Sequence, residues 1–160
     1  MAIELDQLAG KVGRRLAAAG MILATAESCT GGWVAKLMTD IPGSSGWFDR
    51  GFVTYSNEAK HEMLGVSEQT LAEQGAVSEA VVREMVSGAL KHSKAFLALS
   101  VSGIAGPGGG SPDKPVGTVW FAWGRKGGNV VSQRECFAGD RDEVRRQAVF
   151  TSLNRILSLR

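Results

Sequence analysis

Residues 95–101, Ala-Phe-Leu-Ala-Leu-Ser-Val, are almost wholly apolar over the length of one strand. A strand that reads this way is covered on both faces, and only a sheet with helices on each side covers both. The run opens directly into Gly103-Ile-Ala-Gly-Pro-Gly-Gly-Gly110, so the chain leaves the buried sheet through a glycine-rich loop. A layered α/β fold follows, and the other segments have to supply its helices and neighbouring strands.

They do so by period. Leu5, Leu8, Ala9, Val12, Leu16 and Ala19 recur at helical spacing and stop at Gly20, a helix-terminating residue. Met21–Ala26 is a short apolar run, followed by a Ser-Cys-Thr-Gly-Gly turn and a helical stretch over 33–38. After a loop over 41–47, residues 51–56 read as a second strand and 57–64 as a short helix capped by Ser56 or Asn57 and closed by Gly65. Ser78 caps a long helix with Val81, Val82, Met85, Val86, Ala89 and Leu90 on one face. Residues 117–123 and 130–137 form an antiparallel hairpin around a Gly-rich turn. Asp140 with Glu143 three residues on opens the last helix. The expected architecture is a single domain over 1–160, a three-layer α/β/α sandwich with a mixed, mostly parallel sheet of about five strands.

Composition removes several functions. Eighteen basic and sixteen acidic residues leave a net charge of +2, too little for a nucleic-acid groove, which needs a concentrated basic stripe. Cys29 and Cys136 lie far apart without metal-ligand spacing, so a reduced cytoplasmic setting and no metal are expected. The acidic, amphipathic N-terminus lacks the pattern of a signal peptide, and no apolar run approaches the roughly 20 residues that cross a bilayer.

The chemistry concentrates around Ser28. It follows a buried strand and precedes a helix, where a side chain is presented at the sheet's carboxyl edge and helix N–H groups point at a bound group. Glu27, Cys29 and Thr30 flank it as candidate substrate contacts, and Gly31 and Gly32 join them by admitting a substrate close to the backbone. A serine here serves equally as a helix cap. Lys60 lies near the third position of the helix over 57–64, where the macrodipole disfavours an ammonium; burial would add to this and leave an amine able to take a proton from a serine. Tyr55, at the end of the preceding strand, is placed to relay that proton or hold the lysine; a core tyrosine and a solvated lysine are the plainer alternative. Cys29 is the rival nucleophile, but neither His61 nor His92 stands in a partner motif, and both histidines read as surface positions. The loop Ser102, Gly103, Ile104, Ala105 and Gly106 matches neither a P-loop nor a dinucleotide fingerprint, yet its N–H groups can nest an anion. Arg141 and Arg145 are candidates for a phosphate, or exposed first-turn residues of the last helix.

Together ESCTGG at 27–32, VTYSNEAK at 53–60, SGIAGPGGG at 102–110 and KPVGTVWFA at 114–122 resemble the CinA C-terminal domain family, and within it the stand-alone nicotinamide-nucleotide amidases. GAVSE at 75–79 and GDRDEVRRQAV at 139–149 extend the match over essentially the whole chain. The resemblance implies hydrolysis of nicotinamide mononucleotide to nicotinate mononucleotide and ammonia, in pyridine-nucleotide recycling, by a serine amidase needing no metal or cofactor. It places the nucleophile on Ser28, the base on Lys60 and an assisting tyrosine on Tyr55, and lines the substrate pocket with Ser102 to Pro107. It also implies self-association, a dimer being favoured, with no nucleic-acid or membrane partner. Many members carry a further N-terminal nucleotide-hydrolysing domain with no counterpart in these 160 residues, and Arg50 stands where many have a glycine. A non-catalytic nucleotide-binding module and, against the near-neutral charge, a nucleic-acid-associated factor are the rival expectations.

Overall fold

Helix α1 (Ala2–Ala19) turns Leu5, Leu8, Ala9, Val12 and Leu16 inward, and ends where Gly20 adopts φ 63°. The computed structural model describes residues 2–159, so the outermost residues of the expected domain, 1 and 160, lie outside the described residues. The chain continues through β1 (Leu23–Glu27), α2 (Trp33–Thr39), β2 (Phe48–Val53), α3 (Asn57–Leu64), α4 (Glu68–Gln74) and α5 (Glu79–Lys91). It closes with β3 (Leu97–Gly103), the hairpin β4 (Thr118–Arg125) and β5 (Val130–Cys136), and α6 (Arg141–Asn154), which runs on as a 3-10 turn over Arg155–Ser158.

The five strands are ordered β2-β1-β3-β4-β5. β1 pairs in parallel with β2 and β3, and β4 runs antiparallel between β3 and β5, so four of the five strands point the same way. The apolar run that anchors the sequence reading supplies β3, and its alternate residues face two different cores. Leu97, Leu99 and Val101 join Leu23, Phe121 and Trp123 under α1, α2 and α6. Ala98 joins Ala26 and Ala122 under α5, with Leu64 of α3 and Leu71 of α4. The three-layer sandwich is thus one sheet between two helical layers. No helix among the described residues is long and apolar enough to cross a membrane.

Some boundaries differ from the sequence expectation. β2 starts at Phe48 and ends at Val53, earlier than the predicted 51–56. Its outer edge has no strand partner among the described residues, so it tolerates Asp49 and Arg50, whose charges interrupt the apolar pattern; Asp49 also accepts the Lys94 N–H at 2.9 Å. β3 begins at Leu97 rather than Ala95, leaving Phe96 half exposed. α4 was not predicted: it is two turns long and buries only Leu71, too little for a periodic signal, although Ser67 caps it by accepting from Thr70 N–H. Gly88 of α5 answers a packing demand, because a Cβ there would stand 1.9 Å from the Leu64 carbonyl oxygen of α3.

The consequence for function lies at one edge. β1, β2 and β3 end together, and each hands the chain to a turn: Ser28 after β1, Tyr55 and α3 after β2, and the glycine loop after β3. In open α/β sheets this carboxyl edge is where ligands bind.

Candidate active site

The turn after β1 frees Ser28 for chemistry. α2 has Gly32 at its N-cap, with φ 99° and no side-chain cap. Glu27 fills that role: its Oε1 accepts from Thr30 Oγ1 at 2.6 Å and from Val34 N–H at 2.9 Å, and its Oε2 accepts from Ala35 N–H at 3.0 Å. Fully buried and turned into the scaffold, Glu27 is a capping carboxylate where the sequence suggested a substrate contact, and Ser28 is not the cap. Gly31 and Gly32, both at positive φ, shape the turn. The Ser28 N–H donates to Val101 O at 3.0 Å and the Gly31 N–H to Ser28 O at 3.1 Å. That of Thr30 has no acceptor among the described residues, and that of Cys29 has none beyond its own sulfur.

α3 brings the lysine. Ser56 caps it by accepting from Ala59 N–H at 3.0 Å, which sets Lys60 in the fourth helical position, only 1% exposed. Lys60 Nζ donates to Ser28 Oγ at 3.1 Å and to the Tyr55 carbonyl at 3.1 Å. No carboxylate among the described residues lies within ion-pair distance of it. Burial without a counter-ion holds its pKa below the 10.5 of an ordinary lysine. Ser28 Oγ in turn faces the Tyr55 carbonyl at 3.4 Å. The group of Tyr55 that meets this pair is therefore its carbonyl; the residue is 63% exposed, with its hydroxyl accepting from Arg141 NH2 at 3.3 Å. Of the two roles the sequence offered Tyr55, holding the lysine falls to its carbonyl, and the hydroxyl meets Arg141 rather than Lys60.

Cys29 is buried, and burial, followed by the Glu27 carboxylate, pushes its thiol up to about 12. It stays protonated at neutral pH and is a poor nucleophile. His61 turns its Nδ1 to Val66 O at 2.8 Å and its Nε2 to Glu68 at 3.4 Å, away from Ser28. No group of three or more His, Cys, Asp or Glu among the described residues is arranged to hold a metal ion.

A cleft of about 260 Å³ joins Ser28, Cys29, Tyr55 and Lys60 to Ser102 and Gly103 at the end of β3, to Ala105 of the glycine loop, and to Arg141. Ile104 and Gly106 contribute loop structure: the Ile104 N–H donates to Thr118 O at 2.9 Å, and Gly106 O accepts from Arg141 NH1 at 2.7 Å. Arg145 is not part of this lining; its Nε donates to Cys29 O at 2.9 Å. Sequence reasoning missed Asn57, Ala76 and Val77 as cleft walls. Asn57 carried only a capping signal, and Ala76-Val77 lies in the GAVSE match, where nothing distinguishes a wall residue from a helix lead-in.

An α/β/α sandwich holding a serine against a buried, carboxylate-free lysine at the carboxyl edge of its parallel strands is the class of protein this geometry defines. The chain belongs to the CinA C-terminal domain family, whose model matches residues 5–159. It is 64% identical over 150 residues to the nicotinamide-nucleotide amidohydrolase PncC of Escherichia coli, covering 94% of this chain and 91% of that one. It is 53% identical over 155 residues to the protein of the same name from Pseudomonas putida, covering 97% and 96%. The crystal structure of the competence/damage inducible protein CihA from Agrobacterium tumefaciens superposes with a TM-score of 0.93 at 44% identity, covering 96% of this chain and 94% of that one.

Proposed function

We propose that this protein hydrolyses the carboxamide of nicotinamide mononucleotide, releasing ammonia and nicotinate mononucleotide, and so returns the nucleotide to pyridine-nucleotide recycling. The observation that carries the reading is the 3.1 Å contact between Ser28 Oγ and a buried Lys60 Nζ without a carboxylate partner. The names of the Escherichia coli and Pseudomonas putida relatives supply the substrate.

In this mechanism the Ser28 hydroxyl passes its proton to neutral Lys60 as Oγ bonds to the carboxamide carbon. The carbonyl oxygen takes up the negative charge, and the N–H groups of Cys29 and Thr30, which no backbone carbonyl among the described residues accepts, are the donors the turn offers it in this reading. Lys60 then gives the proton to the departing amine, the C–N bond breaks, and ammonia leaves with an acyl-serine behind it. A water, losing its proton to Lys60, attacks the ester, and that proton returns to Ser28 Oγ as nicotinate mononucleotide departs. The Tyr55 carbonyl keeps the amine beside Oγ throughout. Arg141, at the cleft mouth with Tyr55, is the phosphate partner in this reading.

Ammonia release from nicotinamide mononucleotide, measured for wild type, Ser28→Ala and Cys29→Ala, tests reaction and nucleophile together. Turnover by wild type and Cys29→Ala, with Ser28→Ala reduced at least about 100-fold, is expected. Activity that survives Ser28→Ala and disappears in Cys29→Ala overturns the assignment, and tight binding without turnover by wild type makes the protein a nucleotide-binding module.

A further inference from the structure

Arg145 reaches the nucleophile turn from behind. Its Nε donates to Cys29 O at 2.9 Å, and its NH2 faces Thr30 O at 3.5 Å. The guanidinium carbon stands 5.9 Å from the centre of the Trp33 ring, a cation–π seat that holds the fork in place. A Cβ on Gly31 would lie 3.3 Å from the same NH2, so the arginine packs closely on the turn's backbone. Glu27 grips that turn through its donors, taking the Thr30 hydroxyl and the first N–H groups of α2.

Peptide planarity gives the arginine contact a direction. In a trans peptide the Cys29 carbonyl and the Thr30 N–H point opposite ways, so drawing the carbonyl toward α6 aims the N–H away from it. That N–H has no acceptor among the described residues, and it follows the nucleophile by two positions. We infer that Arg145 is a positioning residue for the reaction: it fixes the peptide between Cys29 and Thr30 so that Ser28 and the N–H groups of its turn keep one geometry through acylation. The inference rests on Ser28 being the nucleophile of the proposed reaction. It replaces the phosphate contact that the sequence suggested for Arg145.

The two roles separate in kinetics. Arg145→Gln is assayed on nicotinamide mononucleotide and on its phosphate-free nucleoside, and labelling of Ser28 by a fluorophosphonate, which displaces fluoride without needing the substrate, is timed for the same variant. A positioning role lowers kcat on both amides by about 10- to 100-fold and slows labelling to match, with KM little changed. A rise in KM confined to the phosphorylated substrate, with labelling at the wild-type rate, overturns the inference and makes Arg145 a substrate ligand. Should Arg145→Gln fail to fold, Trp33→Leu removes the cation–π seat and keeps the charge; it is expected to slow labelling by a smaller factor, and unchanged labelling overturns the inference. Wild type that is labelled at Ser28 but releases no ammonia removes the proposed substrate alone, and labelling still decides Arg145. Wild type that resists labelling at Ser28 overturns both.

Discussion

An amine buried without a counter-ion lowers its free energy by giving up its proton, and Lys60 is in that position. A base works only unprotonated, so kcat/KM should rise with pH along a single limb whose midpoint lies below the 10.5 of a free lysine. A pH–rate profile measures this directly, and a midpoint at or above 10.5 contradicts it. The adjacent Cys29 has the opposite character: burial and the Glu27 carboxylate keep its thiol protonated, so Cys29→Ala should hold kcat within a few-fold. At this scale the residue types were legible in the sequence, since Ser28, Lys60 and Tyr55 stand in recognisable motifs. Their atoms were not. A sequence cannot tell that Tyr55 meets the lysine through its carbonyl while its phenol faces Arg141, because that depends on which way the chain turns out of β2.

Among the elements, α3 matters most, because it carries Lys60 and packs on α5, through Leu64 in their shared core and a close approach at Gly88. Gly88→Ala would place a methyl 1.9 Å from the Leu64 carbonyl oxygen, a backbone atom one helical turn beyond Lys60. Such overpacking should cost about 1–3 kcal/mol, and any shift of α3 that relieves it displaces the lysine relative to Ser28. Urea melts and kcat for Gly88→Ala should fall together, whereas Ser87→Ala, exposed on the same helix, should leave both near wild type. A simpler loss is expected at α6, where Asp140 and Glu143 form a reciprocal cap: Asp140→Ala should cost about 1 kcal/mol in a denaturant melt. That cap was visible as two residues at the right spacing, and so were the caps of α3 and α5. α4 was not, because a two-turn helix with one buried side chain leaves no period to detect.

Taken whole, the molecule keeps a group that does not favour folding. The Lys60 pKa is lowered in the folded chain, so between that lowered value and 10.5 the unfolded chain binds the proton more strongly. Lys60 should therefore make stability rise with pH through that window, opposed only above pH 9, where Cys29 ionises in the unfolded chain and not in the folded one. Lys60→Met, which removes the titrating group and retains an apolar stem, should abolish this rise, melt higher than wild type at pH 7 and release no ammonia. Urea melts over a pH series on both proteins check it; an unchanged slope in the variant would deny the lysine its part. The sequence by itself determined the layers, since a strand apolar on both faces admits helices on both sides, and it determined the caps and the turns, which depend on residues within one helical turn of each other. The tertiary structure alone decided the site, because Ser28 and Lys60 are 32 positions apart and meet only when β1 and β2 pair in parallel and end at the same edge. It alone also brought Glu27 and Arg145 into hydrogen bonds with the turn, for such bonds go to whatever the fold brings within about 3 Å, and local sequence does not carry that distance.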